Sequence, residues 1–477
     1  MSYLSLLRLH LPDISPEAKF LLLRFLQKYG EGRSVRRGVA AFAADLGVSG
    51  PMAKRGLHEL TAGGFLSQCE SRSECECSQT LRETLASESV KGVAGSLYQL
   101  ADHVLNPATE LISLKSYDRR VSDMSLDSVA PAERKEAARK MLREAASGTN
   151  RLLLAVLLVH ADEFGVVRGL GISDLCALTG LKRERLEMHL FKLNELGAIR
   201  FKIAGFSGSK ILGSLKTLYY LNLHHRCFYN SNSTAMVFVL NAKSDHRNNV
   251  DLLAEKIFLI EEGACGFYWP LTELDTLGPV KLFDDVVVSS LLNSKLAGGG
   301  RAELLMLRAI VDQHVSSLLS MHWNKLCSKK LFTDLGLLET IKLEVKLPSF
   351  KSAAIVALSE RSAAEVVYNM VFYLACQYRV LLGSAGDHVG EGMKFHILPI
   401  SDQCRALGRR AVLALRKDGV LDGRCLVITE AESEIQSYEC EAVMPVDQRF
   451  GYGLFGEFHA LKRYGRSVTR YMPVFRQ

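Results

Sequence analysis

No stretch of this sequence is long and apolar enough to cross a bilayer. The most apolar stretch, residues 363–382, contains Glu365, Asn369, Gln377 and Arg379, which are costly in lipid. The N-terminus lacks the apolar core and small-residue cleavage site of a secretory signal peptide. The 11 cysteines follow no even framework spacing, which favours reduced thiols over a disulfide scaffold. These absences predict a cytoplasmic protein with no membrane partner.

Sequence motifs of catalysis are missing as well. There is no Walker lysine motif, no GxSxG and no HExxH. Residues 451–456, GYGLFG, match GxGxxG, but a dinucleotide site needs a preceding strand, and the preceding MPVDQRF favours a loop. Cys69, Cys75 and Cys77 lie close together without the fourth ligand and paired spacing of a zinc site. The sequence therefore predicts no catalytic residue, no cofactor and no metal, and we expect no enzyme.

The positive charge is concentrated in two segments of the chain. The 477 residues carry a formal net charge of +7. Residues 1–66 hold nine basic and five acidic side chains, and residues 150–227 hold eleven and six. Residues 67–149 hold eleven basic and thirteen acidic side chains, and residues 228–477 hold 28 of each. A localised basic excess is typical of a phosphate-binding surface.

The two basic segments contain an internal repeat. Residues 39–66 align without a gap with residues 172–199, an offset of 133, and the same offset aligns the apolar segments 19–29 and 152–162. The aligned pairs include Val39 with Ile172, Phe42 with Leu175, Gly47 with Gly180, Leu57 with Leu190, Leu60 with Leu193, and Gly64 with Gly197.

Each copy predicts the same order of elements. A long apolar helix precedes a short helix, which Ser173 opens as N-cap in the second copy. Gly47 and Gly180 mark a tight turn where a residue without a Cβ can take positive φ. A longer helix follows, with Ser49 as N-cap in the first copy and apolar residues at helical spacing. Gly64 or Gly197 ends this helix, and a strand follows.

This order of helix, short helix, glycine turn, helix and hairpin resembles the winged helix-turn-helix superfamily. The stretch LGVSGPMAKRGLHEL is similar to the bacterial regulator pattern in which Leu-Gly-Val-Ser precedes a helix with an outward arginine, here Arg55. The second copy departs from this pattern, with Lys182 in place of the capping serine and Met188 in place of Arg55. In the wings, a turn at 71–74 and a Gly/Ser-rich turn at 206–214 separate strands.

The resemblance implies that the second helix of each motif enters the major groove of double-stranded DNA. Arg55 is expected to pair with a guanine edge, and Lys54 to contact phosphate. The candidate contacts are Arg33, Arg36, Arg37, Ser49, Lys54, Arg55, His58 and Arg72 in the first copy, and Lys182, Arg183, Arg185, His189, Lys192 and Lys210 in the second. The alternative is that one or both copies bind protein and not DNA.

The remainder of the chain predicts a mixed α+β fold. We expect strands at 234–240, 393–400, 424–430 and 437–444, helices at 250–263, 303–326, 362–383 and 402–419, and a flexible break at Gly298–Gly300. The predicted domains are winged helices at 1–81 and 150–227, a helical linker at 82–149, a connecting region at 228–300 and a C-terminal domain at 301–477.

The C-terminal tail, residues 461–476, has five basic residues and no acidic one. Tyr464, Tyr471 and Phe475 are interleaved with the charges, a mixture that suits nucleic-acid backbone and base stacking. The alternative is a terminal strand that packs its aromatic side chains inward.

The sequence as a whole favours a bacterial-type, sequence-specific transcription regulator that grips double-stranded DNA with tandem winged helices. Its C-terminal half would then form a dimer or bind a partner. One alternative is a replication initiator of plasmid or phage type, and another is an interaction scaffold or enzyme that uses winged helices for docking.

Overall fold

The computed structural model of the protein combines helices and strands throughout, so the predicted α+β class is confirmed. It describes residues 3–11, 13–30, 35–36, 38–69, 74–77, 147–209, 212–225, 235–241, 285–328, 330–344, 363–399, 409–416, 423–429 and 435–455. Within these ranges no helix has the length and apolar character needed to span a membrane. The described residues form two compact bodies, one of residues 3–200 and 219–225, the other of 201–218 and 235–455.

The first body begins with a 3-10 helix, Tyr3–Arg8, followed by the first repeat. The elements of this repeat are α1 (Pro16–Tyr29), β1 (Val35–Arg36), α2 (Val39–Leu46), α3 (Gly50–Ala62), β2 (Leu66–Cys69) and β3 (Glu74–Cys77). Its three strands form a sheet in the order β1-β3-β2, in which both neighbouring pairs are antiparallel. The predicted hairpin is therefore present, and β1 adds a strand between the first two helices that the sequence did not predict.

The second repeat has the same order of elements. These are α4 (Gly148–Val159), β4 (Val166–Val167), α5 (Ile172–Thr179), α6 (Arg183–Glu195), β5 (Ile199–Ile203) and, beyond an inserted hairpin, β8 (Leu218–Leu221). Its sheet has the order β4-β8-β5, so β4 again lies beside the second strand of the hairpin. Both α3 and α6 have 13 residues, and their bounds differ by the 133-residue offset of the repeat.

The glycine turns of both repeats are confirmed. Gly47 and Gly180 adopt left-handed φ values of 63° and 73°, a region that favours a residue without a Cβ. Ser49 caps α3 by accepting the backbone N–H of Met52. The predicted cap at Ser173 is wrong, because the N-cap of α5 is Gly171, two residues earlier, and the helix begins at Ile172. There the Asp174 carboxylate accepts the Gly171 N–H at 2.6 Å and so supports the start of the helix.

The two repeats share one hydrophobic core, in which α1 packs against α4. The 3-10 helix contacts α1, α4 and α5, and Arg8 Nη2 donates to the Val159 carbonyl at 2.7 Å. Buried Lys19 of α1 donates to the carbonyl of Leu9 at 2.6 Å and to that of Leu178 in α5 at 2.5 Å. The repeats are therefore joined by polar contacts as well as by apolar packing.

Contacts across this junction are crosswise. Met52 of α3 lies near the start of α4, where a Cβ built at Gly148 would be 3.2 Å from Met52 Cε. Arg185 of α6 occupies the position equivalent to Met52, and it binds Glu17 in the first turn of α1 at 2.9 Å. The first turn of α3 therefore lies near the start of α4, and the first turn of α6 contacts the start of α1.

The hairpin inserted into the second repeat belongs to the second body. Its strands are β6 (Phe206–Ser209) and β7 (Gly213–Leu215), which pair antiparallel. The prediction of a plain Gly/Ser turn at 206–214 is therefore wrong, since most of these residues form a ladder of their own. Strand β6 contacts α7 (Asp285–His322), the long helix of the second body.

The second body is built on a five-stranded sheet with the order β10-β11-β9-β12-β13. The strands are β9 (Met236–Asn241), β10 (Met393–Ile397), β11 (Arg409–Arg416), β12 (Cys425–Thr429) and β13 (Gln436–Tyr438). Strand β12 is parallel to β9, and the other pairs are antiparallel. The strands predicted at 234–240, 393–400 and 424–430 are confirmed, whereas that at 437–444 ends at Tyr438 and gives way to a 3-10 helix, Glu441–Val443.

The helix predicted at 402–419 is wrong, because residues 409–416 form strand β11. Its alanine and leucine residues have high helix propensity, but β11 pairs on both sides, with β10 and β9, and residues 410–414 are buried. Tertiary packing therefore overrides local preference here. The segment before GYGLFG is also not a loop but a short helix, α10 (Val446–Gly451).

Helix α7 (Asp285–His322) covers the edge strand β10. The predicted long helix is confirmed as α7, which is continuous through Gly298–Gly300, so the predicted break there is wrong. It packs on β10 and on α9 (Ala363–Gly383), the predicted buried helix, and α9 also contacts α8 (Leu335–Glu344). The hydroxyl oxygens of Ser320 and Ser316 accept the N–H groups of Phe395 and Ile397 at 2.8 and 3.0 Å. These serines satisfy backbone donors that an exposed edge would offer to another strand.

Predictions at several segments lie outside the described residues. They are the helical linker over most of 82–149, the helix at 250–263 and the tail at 461–476.

Candidate nucleic-acid interface

Helix α3 presents five residues on one outward face. Pro51, Lys54, Arg55, His58 and Ala62, which we call the α3 stripe, recur at the spacing i, i+3, i+4, i+7 and i+11, and all five are exposed. The α3 stripe thus contains a lysine, an arginine and a histidine, and it contains no carboxylate.

The opposite face of α3 fixes its position against α1. Ala53, Gly56 and Leu60 are buried there. A Cβ at Gly56 would lie 2.8 Å from Leu21 Cδ2, so this glycine permits the close approach of the two helices. Glu59, the one acidic residue of α3, accepts the backbone N–H of Ser15 at 3.2 Å. The carboxylate is thereby engaged with the segment before α1.

The start of α3 is exposed and is capped by a side chain. Ser49 is exposed, and its hydroxyl oxygen accepts the Met52 N–H at 3.4 Å. Pro51 lies in the first turn, where its missing N–H costs no intrahelical hydrogen bond. The free N–H groups and partial positive charge of a helix start favour a phosphate nearby. The start of α3 therefore adds to the positive potential of Lys54 and Arg55.

In the second repeat, two basic residues at the start of α6, Arg183 and Arg185, bind carboxylates of the protein. Arg183 forms an ion pair with Glu187 at 3.0 Å, one turn further along the helix. Arg185 binds Glu17 of the first repeat at 2.9 Å. Burial acts to raise the pKa of Glu17, but the hydrogen bonds from Arg185, its backbone and Thr149 hold this pKa below its usual value. Arg185 therefore contributes to the junction between the repeats.

His189 does not lie on the exposed face of α6, contrary to the prediction. It is 8% exposed, and its Nδ1 lies 2.5 Å from Asn150 Oδ1 in α4. Burial lowers the pKa of His189, and the nearby positive charges of Arg185 and Lys192 lower it further. A buried imidazole that faces Asn150 in α4 cannot contact DNA. Its place on the core face could have been found from the repeat, since Gly56 occupies the equivalent inward position in α3.

The other predicted contacts are placed as follows. Lys182 is exposed at the N-cap position of α6 without a capping side chain, and Lys192 is half-buried. Arg36 belongs to β1, which pairs with β3. Arg33, Arg37, Arg72 and Lys210 lie outside the described residues.

The outward face of α6 has a different chemistry from that of α3. At the repeat offset, the α3 stripe corresponds to Glu184, Glu187, Met188, Phe191 and Glu195, which we call the α6 stripe. Met188 and Phe191 are 45% and 40% exposed, Glu184 and Glu187 are exposed, and Glu195 is half-buried. Carboxylates repel phosphates, so the α6 stripe is unsuited to a DNA groove. Sequence reasoning missed this contrast because it selected basic residues by proximity along the chain and not by helix face.

In the described part of the second body, a buried charged cluster lies between α7 and α9. Arg308 Nε lies 2.9 Å from Asp312 Oδ2, and both residues are buried. Burial raises the pKa of Asp312, although Arg308 opposes the shift. Burial also raises the pKa of Tyr378, which faces this pair from α9. The cluster links α9 to α7 inside the core. Among the described residues, no group of three or more His, Cys, Asp and Glu side chains is arranged to hold a metal ion.

Comparison of the chain with protein-family models, with curated proteins and with solved structures finds no match.

Proposed function

We propose that the protein is a sequence-specific regulator that binds double-stranded DNA through its first repeat, a winged helix-turn-helix whose α3 enters the major groove. The observation that carries the proposal is the α3 stripe, in which Lys54, Arg55 and His58 share one exposed face without a carboxylate. The glycine turn before α3 and the three-stranded sheet after it support the same assignment.

Three residues of the α3 stripe, Arg55, Lys54 and Pro51, have distinct roles in this proposal. Arg55 offers a planar pair of donors that matches the O6 and N7 acceptors of guanine. Lys54 contacts the phosphate backbone, where a flexible point charge is sufficient. Pro51 has no long side chain and lets the start of α3 approach the floor of the groove. Because α3 is fixed against α1 at Gly56, little ordering of the helix is needed on binding.

In this proposal the second repeat holds the first repeat in place and does not contact bases. Arg185 binds Glu17 at the junction between the repeats, and His189 is buried against Asn150 within the second repeat, so neither is available to a duplex. The α6 stripe adds carboxylates and apolar side chains where the first repeat has cations. We therefore expect the loss of DNA affinity to follow substitutions in α3 and not in α6. Self-association through the second body stays a prediction.

The test compares equivalent double variants of the two stripes. In Lys54→Ala/Arg55→Ala, loss of one bidentate base contact worth about 1–3 kcal/mol weakens specific binding roughly 5- to 150-fold. Loss of the Lys54 phosphate contact reduces the slope of log affinity against log salt by about 0.9. The matched control is Glu187→Ala/Met188→Ala, at the equivalent positions of α6, which leaves specific binding intact.

Binding is measured by titration of a random duplex pool at several salt concentrations, followed by sequencing of the bound fragments. A selected site near promoters supports a regulator, whereas direct repeats at an origin support the replication initiator instead. Equal affinities of the wild type and the folded α3 variant would overturn the proposal. Equal losses in the α3 and α6 variants would overturn the division between the repeats.

A further inference from the structure

The two helix stripes of the first body are complementary in charge. The α3 stripe carries a lysine, an arginine and a histidine, and the α6 stripe carries three glutamates. These six side chains belong to exposed residues, except that Glu195 is half-buried. Two α3 stripes, or two α6 stripes, would place like charges opposite each other, which is unfavourable. Unlike stripes therefore attract, and like stripes repel.

The stripes also match in length. In each, the first and last residues are 11 positions apart, which corresponds to about 16 Å along a helix. Ala53 and Leu60 behind the α3 stripe, and Leu186 and Leu193 behind the α6 stripe, belong to the same hydrophobic core. Both stripes face away from this core, so a chain cannot bring its own two stripes together. A second copy of the chain is the partner that supplies an equally long stripe of opposite charge.

We propose that the α3 stripe of one copy docks on the α6 stripe of a second copy. Met188 is 45% exposed and lies one turn beyond Glu184. The alkyl stems of Lys54 and Arg55 can cover this side chain while their charged ends reach the carboxylates. Two copies form a closed dimer when each stripe finds its complement on the other copy, and an open chain when it does not.

Contacts that these side chains make within their own helices are weak enough to be exchanged. Arg183 pairs with Glu187 at 3.0 Å, but the two side chains are 72% and 47% exposed, and such a pair contributes little to stability. Arg55 Nε lies 3.5 Å from the Pro51 carbonyl oxygen, at the outer limit of a hydrogen bond. The docked surface is small, so the association is weak, depends on protein concentration and falls with added salt.

Docking covers the residues through which α3 is proposed to bind DNA. The carboxylates of the α6 stripe then take the place of phosphates, and a duplex competes with a second copy for Lys54 and Arg55. Self-association at high protein concentration therefore withholds α3 from DNA. This regulatory consequence rests on the proposed function, whereas the docking itself does not.

Charge reversal of each stripe tests the docking in the absence of DNA. Sedimentation velocity measures self-association of the full chain at low salt over a wide range of protein concentrations. Lys54→Glu/Arg55→Glu leaves two acidic stripes, and Glu184→Lys/Glu187→Lys leaves two basic stripes. Each variant alone should associate at least about tenfold more weakly than the wild type. A mixture of the two variants should restore the association, because each stripe again finds one of opposite charge.

A matched control and a local readout make the test specific. Glu339→Lys/Glu391→Lys reverses two exposed carboxylates of the second body and should leave the association unchanged. Far-UV circular dichroism checks the fold of each variant. In the otherwise wild-type chain, p-benzoylphenylalanine at position 188 is irradiated in a mixture of unlabelled and isotope-labelled chains. Mass spectrometry should find crosslinks from position 188 of one copy to residues 50–62 of the other, and this result decides if a reversed variant does not fold.

Four results would overturn the docking. They are a wild type that stays monomeric at every concentration, an association that neither reversal weakens, a mixture of variants that does not restore it, and an equal loss in the control variant. Addition of a random duplex to the wild type should dissociate the assembly. If an assembly that depends on both stripes persists with duplex bound, the competition is wrong and so is α3 as the DNA-binding helix. If docking fails while DNA binding still depends on Lys54 and Arg55, the proposed function stands without it.

Discussion

Lys19 provides a direct test of the junction between the repeats. Its ammonium lies in the core of the first body and donates to the carbonyls of Leu9 and Leu178. Burial lowers the pKa of Lys19 to about 7. In the unfolded chain the pKa of a lysine is about 10.4. Between these two values the unfolded chain binds a proton that the folded chain does not, so a rise in pH favours the folded state.

The size of this effect follows from the shift. One pH unit within the window contributes about 1.4 kcal/mol, so a change from about pH 7.5 to 9.5 raises the free energy of unfolding by about 2–3 kcal/mol. Below about pH 7 both states hold the proton, and this contribution no longer varies. The Lys19→Met variant lacks the titrating amine, so it loses this rise with pH.

The assay is urea unfolding of the full chain, followed by far-UV circular dichroism at several pH values. The free energy of unfolding of the variant at a single pH does not test the reasoning, because two effects oppose each other. The two carbonyls lose their hydrogen-bond donor, which destabilises the fold, and the cost of burying an amine disappears, which stabilises it. The difference between wild type and variant is diagnostic, and the second body, identical in both, cancels from it. Lys54→Met, an exposed lysine of the same body, controls for loss of a positive charge. A difference that stays constant from about pH 7 to 9.5 would refute the reasoning.

Three further predictions concern single contacts. Gly180→Ala should destabilise the first body by more than about 1 kcal/mol, because φ is 73° and a Cβ would lie 2.5 Å from the Ile14 carbonyl oxygen; thermal unfolding measures this. Ser316→Ala/Ser320→Ala should leave the N–H groups of β10 unsatisfied and speed amide exchange there, whereas Ser328→Ala on the surface should not. Asp334 accepts the Leu337 N–H at the start of α8, and the hydrogen bond from His322 lowers its pKa. Asp334→Ala should therefore lower the free energy of unfolding by about 1 kcal/mol near neutral pH, and by progressively less as acid protonates the carboxyl of the wild type. Unfolding is followed by the fluorescence of Trp323 in a Trp269→Phe background.

The repeat made the first body predictable from the sequence. Its glycine turns, the cap at Ser49 and the apolar faces at Leu60 and Leu193 are local features with clear periodicity, and the structure confirms them. The short strands β1 and β4 were not predicted, because two residues are too few to show an alternating pattern.

Errors in the second body arise where distant parts of the chain decide the local structure. Residues 410–414 read as a helix, yet they become the buried strand β11 because partners on both sides supply hydrogen bonds and burial. Conversely, three glycines at 298–300 do not interrupt α7, because the helix is long and packed on neighbouring elements. Neither outcome can be inferred from a window of neighbouring residues.

The local features of the candidate site were predicted from the sequence, and its long-range contacts were not. The outward positions of Lys54 and Arg55 follow from helical periodicity. The partner of Arg185 could not be predicted, because Glu17 is 168 residues away and meets it only when the two repeats pack together. The buried position of His189 could have been predicted, since the alignment of the repeats pairs His189 with Gly56.

The crosswise packing of the two repeats has a consequence for stoichiometry. A homodimer with such an interface assembles only above a certain protein concentration, and its halves must remain identical. Here both halves belong to one polypeptide, so their association is intramolecular and insensitive to dilution. Each half is also encoded separately, so a mutation in one leaves the other unchanged. That independence allows equivalent helix faces to diverge, one toward cations and the other toward carboxylates and apolar groups, without loss of the shared architecture.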